Sequence, residues 1–170
     1  MRRIITISFL IIISFLLQST LLSVLTLKGM APNLMLILTM SFGIMRGRRE
    51  GMLTGFFCGL LYDVFFGNLI GPYMLLFLII GYTNGFFHKE FLMEDIMLPV
   101  FIIMVDDFVF CFMQYIFMFL LRNKTNIGFY IVNIFLPQIL FTVIATVIVY
   151  RLYVVINKLL KKKVKENEIV

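Results

Sequence analysis

Gly51-Met52-Leu53-Thr54-Gly55-Phe56-Phe57-Cys58-Gly59-Leu60-Leu61-Tyr62-Asp63-Val64-Phe65-Phe66-Gly67 is an apolar run with glycine at every fourth position until Asp63 takes the place of one. Residues four apart stack on one face of an α-helix, so a helix over 51–66 carries its small residues in a single stripe. The interval also runs backward through Gly47 and Gly43. In water such a stripe weakens a helix. In lipid, where no hydrophobic drive separates helix from solvent, it lets two backbones approach closely. The stripe of Gly51, Gly55 and Gly59 therefore predicts a packing spine, against helices of the same chain or against a second protein. Asp63 lies on or beside that stripe near the helix end, either facing the protein or wetted by the following turn.

The flanking sequence repeats the theme. Of 170 residues, 62% are hydrophobic and 14% charged, and the mean hydropathy is +1.05. A water-soluble domain carries about 25% charged residues to cover its surface. Charges and Gly/Pro breaks divide the apolar runs into six segments, about 4–27, 32–46, 51–66, 71–87, 96–121 and 128–153, followed by a basic tail over 158–170. Each crossing of a bilayer takes roughly 20 residues. Six crossings with short loops thus account for residues 1–157 as one membrane domain, with no soluble domain. The second segment would rise only about 21 Å as a helix, so either Arg46 snorkels or the segment is buried among the others. Gly67 to Pro72, with two glycines, an asparagine and a proline, predicts a tight turn.

Met1-Arg2-Arg3 before an apolar run could open a signal peptide. The run to Leu27 is too long and has no Ala-x-Ala site, so it is read as an uncleaved first helix. Basic residues stay on the cytoplasmic side of a membrane. Six crossings put Arg2, Arg3, Arg46, Arg48, Arg49, Lys89, Arg151, Lys158, Lys161, Lys162, Lys163 and Lys165 on one side, and Lys28, Arg122 and Lys124 on the other. Both termini are therefore expected in the cytoplasm. The basic inner face served to set topology, or it also meets anionic lipid or a cytoplasmic partner. The triplet Asn123-Lys124-Thr125 fits a glycosylation sequon but hugs the membrane and carries no weight.

The sequence has no phosphate-cradling glycine loop, no His-Glu-x-x-His and no Cys-x-x-Cys. Cys58 and Cys111 sit in apolar segments, where thiols behave as small hydrophobes, and His88 is read as a solvated residue at a helix end. Neither an enzyme nor a cofactor, metal or nucleic-acid site is expected. Charge at membrane depth is costly and faces the protein interior or a partner. Asp107, Cys111, Gln114 and Met118 share one face of the fifth helix, whereas Asp106 heads the opposing face of Phe110, Met113 and Phe117. Asp107 is the expected functional carboxylate. Gln18, Asp63, Asp107, Gln114, Asn133 and Gln138 all fall between the middle and the outer end of their helices. That predicts a polar cluster opening outward, or a set of interhelical hydrogen bonds.

These motifs resemble the rod shape-determining MreD family of bacteria. The likeness is carried by Pro32-Asn33-Leu34, Arg46-Gly47-Arg48-Arg49-Glu50-Gly51, the Gly55-x3-Gly59-x3-Asp63-x3-Gly67 stretch, Leu69-Ile70-Gly71-Pro72-Tyr73 and Ile80-Gly81-Tyr82. Asp107, and Asn133 four residues before Pro137, resemble its later features. Asn33 departs from an acidic residue often found after that proline. The resemblance implies a non-enzymatic scaffold in the cytoplasmic membrane that works with MreC, the MreB filament, RodA and a penicillin-binding protein in cell-wall elongation. It implies helix-packing or partner-binding roles for Gly51, Gly55, Gly59, Asp63, Gly67, Gly71, Asp107, Gln114, Asn133 and Pro137. More distantly, the family resembles the six-helix substrate-binding subunits of energy-coupling-factor vitamin transporters, which gives the alternative function.

Overall fold

A computed structural model describes residues 2–24, 32–67, 69–89, 97–118, 128 and 131–167. The outer basic residues Lys28, Arg122 and Lys124, the sequon, and the expected ends of the first and fifth helices lie outside them. Six α-helices make up the described chain: α1 Arg2–Val24, α2 Leu34–Arg46, α3 Arg48–Phe66, α4 Pro72–Asn84, α5 Met97–Met118 and α6 Leu136–Asn167. A 3-10 turn, Gly85–Lys89, extends α4, and a π-helical turn, Ile131–Phe135, leads into α6. Among the described residues there is no strand.

The centre of the molecule is α2, the shortest of the apolar segments. It touches all five other helices, and every residue from Leu34 to Met45 is buried. Thirteen residues rise about 20 Å, well short of a bilayer core. The helix nonetheless suits its place, since an all-round apolar sequence belongs inside a protein. Its two in-sequence polar residues are satisfied locally, with Thr39 and Ser41 donating to the carbonyls of Met35 and Ile37 at 2.9 and 2.6 Å.

A single residue, Gly47, separates α2 from α3. Its φ of 90° lies in the left-handed region where glycine meets no side-chain penalty, and it reverses the chain between Arg46 and Arg48. The four-residue glycine interval is therefore shared between two helices: Gly43 belongs to α2, and Gly51, Gly55 and Gly59 to α3. Both helices deliver their glycines to α4. A Cβ on Gly51 would run into the carbonyl of Gly81, one on Gly55 into the carbonyl of Phe77, and one on Gly59 into the backbone of Met74. The partner numbers fall as the glycine numbers rise, so α3 and α4 run antiparallel at backbone contact. A Cβ on Gly43 of α2 would lie 2.9 Å from the same Gly81 carbonyl.

The other helices close around this core. Ser14 of α1 bonds Tyr153 of α6 at 2.9 Å. Tyr62, Tyr73, Phe77 and Phe110 pack α3, α4 and α5 together, with Tyr62 and Phe77 each edge-on to Phe110. The outer faces carry large exposed hydrophobics, among them Phe9, Phe57, Phe101, Leu140 and Ile148. Among the described residues two stretches, Met97–Phe117 and Ile131–Asn157, are long and apolar enough to cross a membrane.

The last helix differs from its expected extent at both ends. Residues 158–167, expected as a tail, continue α6 as helix, because lysine is a good helix former and nothing there interrupts the backbone. At the other end, Pro137 has no N–H, and its ring crowds the carbonyl four residues back. The widened π turn immediately ahead of it, which contains Asn133, relieves that conflict.

Candidate functional site

Three helices, α2, α4 and α6, begin at the same end of the bundle, where Gln18, Asn33, Asp63, Gln138 and Thr142 are buried. A helix start leaves backbone N–H groups without intrahelical partners, which must be bonded when the start is buried. At α4 the residue ahead of the first turn is Gly71, which has no side chain to cap with and a φ of 126°. Asp63 supplies the cap from the end of α3. Its Oδ2 accepts from the N–H of Gly71 and of Met74, both at 2.8 Å, and its Oδ1 from Tyr73 at 3.1 Å. The carboxylate is 1% exposed and faces the positive end of the α4 dipole. Gly67 closes α3 beneath it, with its N–H on the carbonyls of Tyr62 and Asp63.

At α2 the start is capped by three elements at once. Asn33 Oδ1 accepts from Leu36 N–H at 3.1 Å, in the usual manner of an N-cap. Gln18 of α1 accepts from Met35 N–H at 3.0 Å, and Thr142 of α6 accepts from Asn33 N–H at 3.3 Å. Asp107 of α5 adjoins this group: Gln138 Nε2 donates to its Oδ1 at 3.4 Å, and the Gln138 carbonyl in turn accepts from Thr142 Oγ1 at 2.9 Å. Asp107 is fully buried, while Gln138 is 9% exposed.

The sequence reading and the structure part company at α5. Asp106, expected on the face opposite Asp107, is also buried and accepts from Asn84 Nδ2 of α4 at 2.6 Å. Adjacent helical residues differ by only about 100° in direction. A helix wedged between α4, α2 and α6 can bury both, one toward each flank. Gln114, expected beside Asp107, is half-buried two turns farther on, and Asp107 bonds α6 instead. Asn133 is half-buried in the π turn, and Pro137 sits in the first turn of α6.

Several contributors escaped the sequence reading, although each left a trace at i, i+4 spacing. Gly81 and Gly85 mark the face of α4 that receives α3. Thr142 and Thr146 continue the line of Gln138, itself expected in the polar cluster, as a buried polar stripe on α6. At the opposite end of the bundle, Arg46 donates to Asn157 Oδ1 at 2.9 Å and pairs with Glu50 at 3.3 Å. Arg48 lies 3.6 Å over the Phe86 ring, and Arg48, Arg49 and Arg151 are exposed. His88, although exposed, reaches the Ile44 carbonyl at 2.8 Å.

Compared with known families, residues 1–163 match the model described as rod shape-determining protein MreD. No curated protein and no solved structure matches the chain.

Proposed function

The chain belongs to the MreD family of rod shape-determining proteins, and from that premise we propose that it is a six-crossing membrane scaffold linking the MreB filament to peptidoglycan synthesis. The family match over residues 1–163 is the observation that carries this reading. The family is membrane-associated and serves cell shape as a structural component rather than as an enzyme.

The physical features support the finer picture. Apolar side chains cover the outside while aspartates, glutamine and threonines are buried, an arrangement suited to lipid, where intramembrane polar groups turn inward. The exposed arginines Arg48, Arg49 and Arg151 belong to the end opposite Asp63 and the α2 start. With the positive-inside rule this makes that end cytoplasmic, along with both termini, and suits it to anionic headgroups. A reporter that works only outside the cytoplasm, fused after Val170, should stay silent. An active fusion would overturn the six-crossing topology.

In this reading the outer polar end faces the compartment where MreC, RodA and the penicillin-binding protein work, and the basic end faces MreB. The rival is the vitamin-transport subunit suggested by the more distant likeness. Cell width and vitamin uptake, measured together in a strain whose own copy is replaced by Asp107→Leu, separate the two. Widened or rounded cells with unchanged uptake support the scaffold. Intact rods with impaired uptake would overturn it.

A further inference from the structure

The α3–α4 hairpin is apolar to its tip. Between Glu50 and Lys89 the sequence holds a single Asp, Glu, Lys or Arg, and that residue is Asp63, which is buried and engaged at the start of α4. The turn at the outer end presents Leu69 and Ile70, 68% and 71% exposed. They continue the exposed apolar sides of the two limbs, Val64 and Phe65 on α3 and Leu75 and Ile79 on α4. The limbs set the height of the turn. The 19 residues of α3 rise about 28 Å from Arg48, and the 13 of α4 with the five of the 3-10 turn rise about 30 Å. A bilayer measures about 30 Å across its hydrocarbon and about 40–45 Å with its headgroups. A hairpin whose exposed Arg48 and Arg49 lie among the cytoplasmic headgroups therefore ends short of the water outside.

We propose that this tip is a lipid-inserted anchor: Leu69 and Ile70 lie among the acyl chains of the outer leaflet, just beneath its headgroups, and do not project into water. The inference rests on the six-crossing reading and adds to it the surroundings of one turn. Where water is scarce, backbone polar groups must be satisfied inside the protein. From Gly71 to Leu75 every N–H is so bonded, Gly71, Tyr73 and Met74 to Asp63 and Leu75 to the Gly71 carbonyl at 2.9 Å, while Pro72 has none. The Gly67 N–H is held by the Tyr62 and Asp63 carbonyls. Asp63 thus does what water does for a turn at a soluble surface. A water-soluble partner fits the tip poorly, since protein interfaces close with a polar rim and the hairpin offers no charged side chain around Leu69 and Ile70. Acyl chains need no such rim, and the tip is continuous with the apolar sides that the same reading assigns to lipid.

Nitroxide labels test this, one on Ile70→Cys and, in a second variant, one on Ile79→Cys in the middle of α4, each in the full chain reconstituted in phosphatidylcholine vesicles. Cys58 and Cys111 are buried and stay unlabelled. Collisions with oxygen, which concentrates in hydrocarbon, are compared with collisions with a water-soluble nickel chelate. Both labels should collide several times more often with oxygen than with the chelate, Ile79 by the larger ratio. A chelate-dominated signal at Ile70 beside an oxygen-dominated one at Ile79 overturns the anchor and leaves the six-crossing reading standing. Chelate dominance at both positions overturns that reading as well. A label at Ile70 that neither reagent reaches means that a second copy of the chain covers the tip, which also overturns the anchor. Both tip side chains are exposed, so a label displaces no packing, and Leu69→Cys repeats the measurement at the neighbouring position with the same expectation.

Discussion

Asp63 and Asp107 are both aspartates in apolar helices, both buried and both far from any Lys or Arg in sequence, yet their surroundings differ in kind. Asp63 is saturated: three backbone N–H groups of α4 converge on its two oxygens. Asp107 holds one long bond from Gln138 on one oxygen and, among the described residues, has no partner on the other. The first carboxylate builds a helix start, and its work is finished when the chain is folded. The second joins α5 to α6 through side chains alone. Buried acidity in this family fold is therefore not one signal. It marks a fully bonded helix cap in one place and a single side-chain bond between helices in the other.

The sharpest way to break the comparison is to remove Asp63. Asp63→Leu leaves three buried N–H groups without acceptors, each costing about 1–3 kcal/mol, so the chain should fail to accumulate or melt far below the unaltered protein. A melting temperature within a few degrees of the original would mean that Gly71, Tyr73 and Met74 find water instead. Next in size is the seam that Asp63 closes. Gly55→Leu drives a side chain into the Phe77 carbonyl, where neither backbone can yield, and overpacking of this kind costs about 1–3 kcal/mol or more. Normal protein level and normal rod shape together would show that α3 and α4 can separate at no penalty.

At Asp107 smaller effects are expected, and they sharpen the contrast. Asp107→Leu removes the acceptor of Gln138 and should cost about 1–2 kcal/mol, read as a lower melting temperature and wider cells. The smallest effect belongs to Asp107→Asn, which keeps the volume and an acceptor for Gln138, and should cost less than about 1 kcal/mol. The matching Asp63→Asn should be clearly worse, because an amide offers one acceptor atom where three N–H groups converge. Equal losses for the two asparagine variants, measured by thermal unfolding in the same detergent, would abolish the distinction.

Much of this was legible in the residues. Glycine at four-residue spacing announces a close helix contact because the geometry of one helix suffices to see it, and the stripe duly meets α4. The shortness of the second segment pointed toward burial among its neighbours as one of two options. What stayed hidden depends on pairs of elements. That Asp63 caps α4 requires the 67–71 turn to fold back over the end of α3. That Asp106 is as buried as Asp107 requires α5 to be enclosed on two flanks, which one-helix periodicity cannot express. Gly47 was read as part of a continuous stripe, but its positive φ makes it the point where the stripe changes helix.

That single-residue reversal bears on how the protein is made. A segment of thirteen residues, too short to reach across a bilayer, gains nothing by entering lipid alone. Joined to α3 through Gly47 alone, it travels as one limb of a hairpin whose other limb is longer. In chain order the hairpin precedes α4, α5 and α6, the helices that cover the rest of α2. Of those three, α6 is the one that meets both ends of α2, through Thr142 and Asn157.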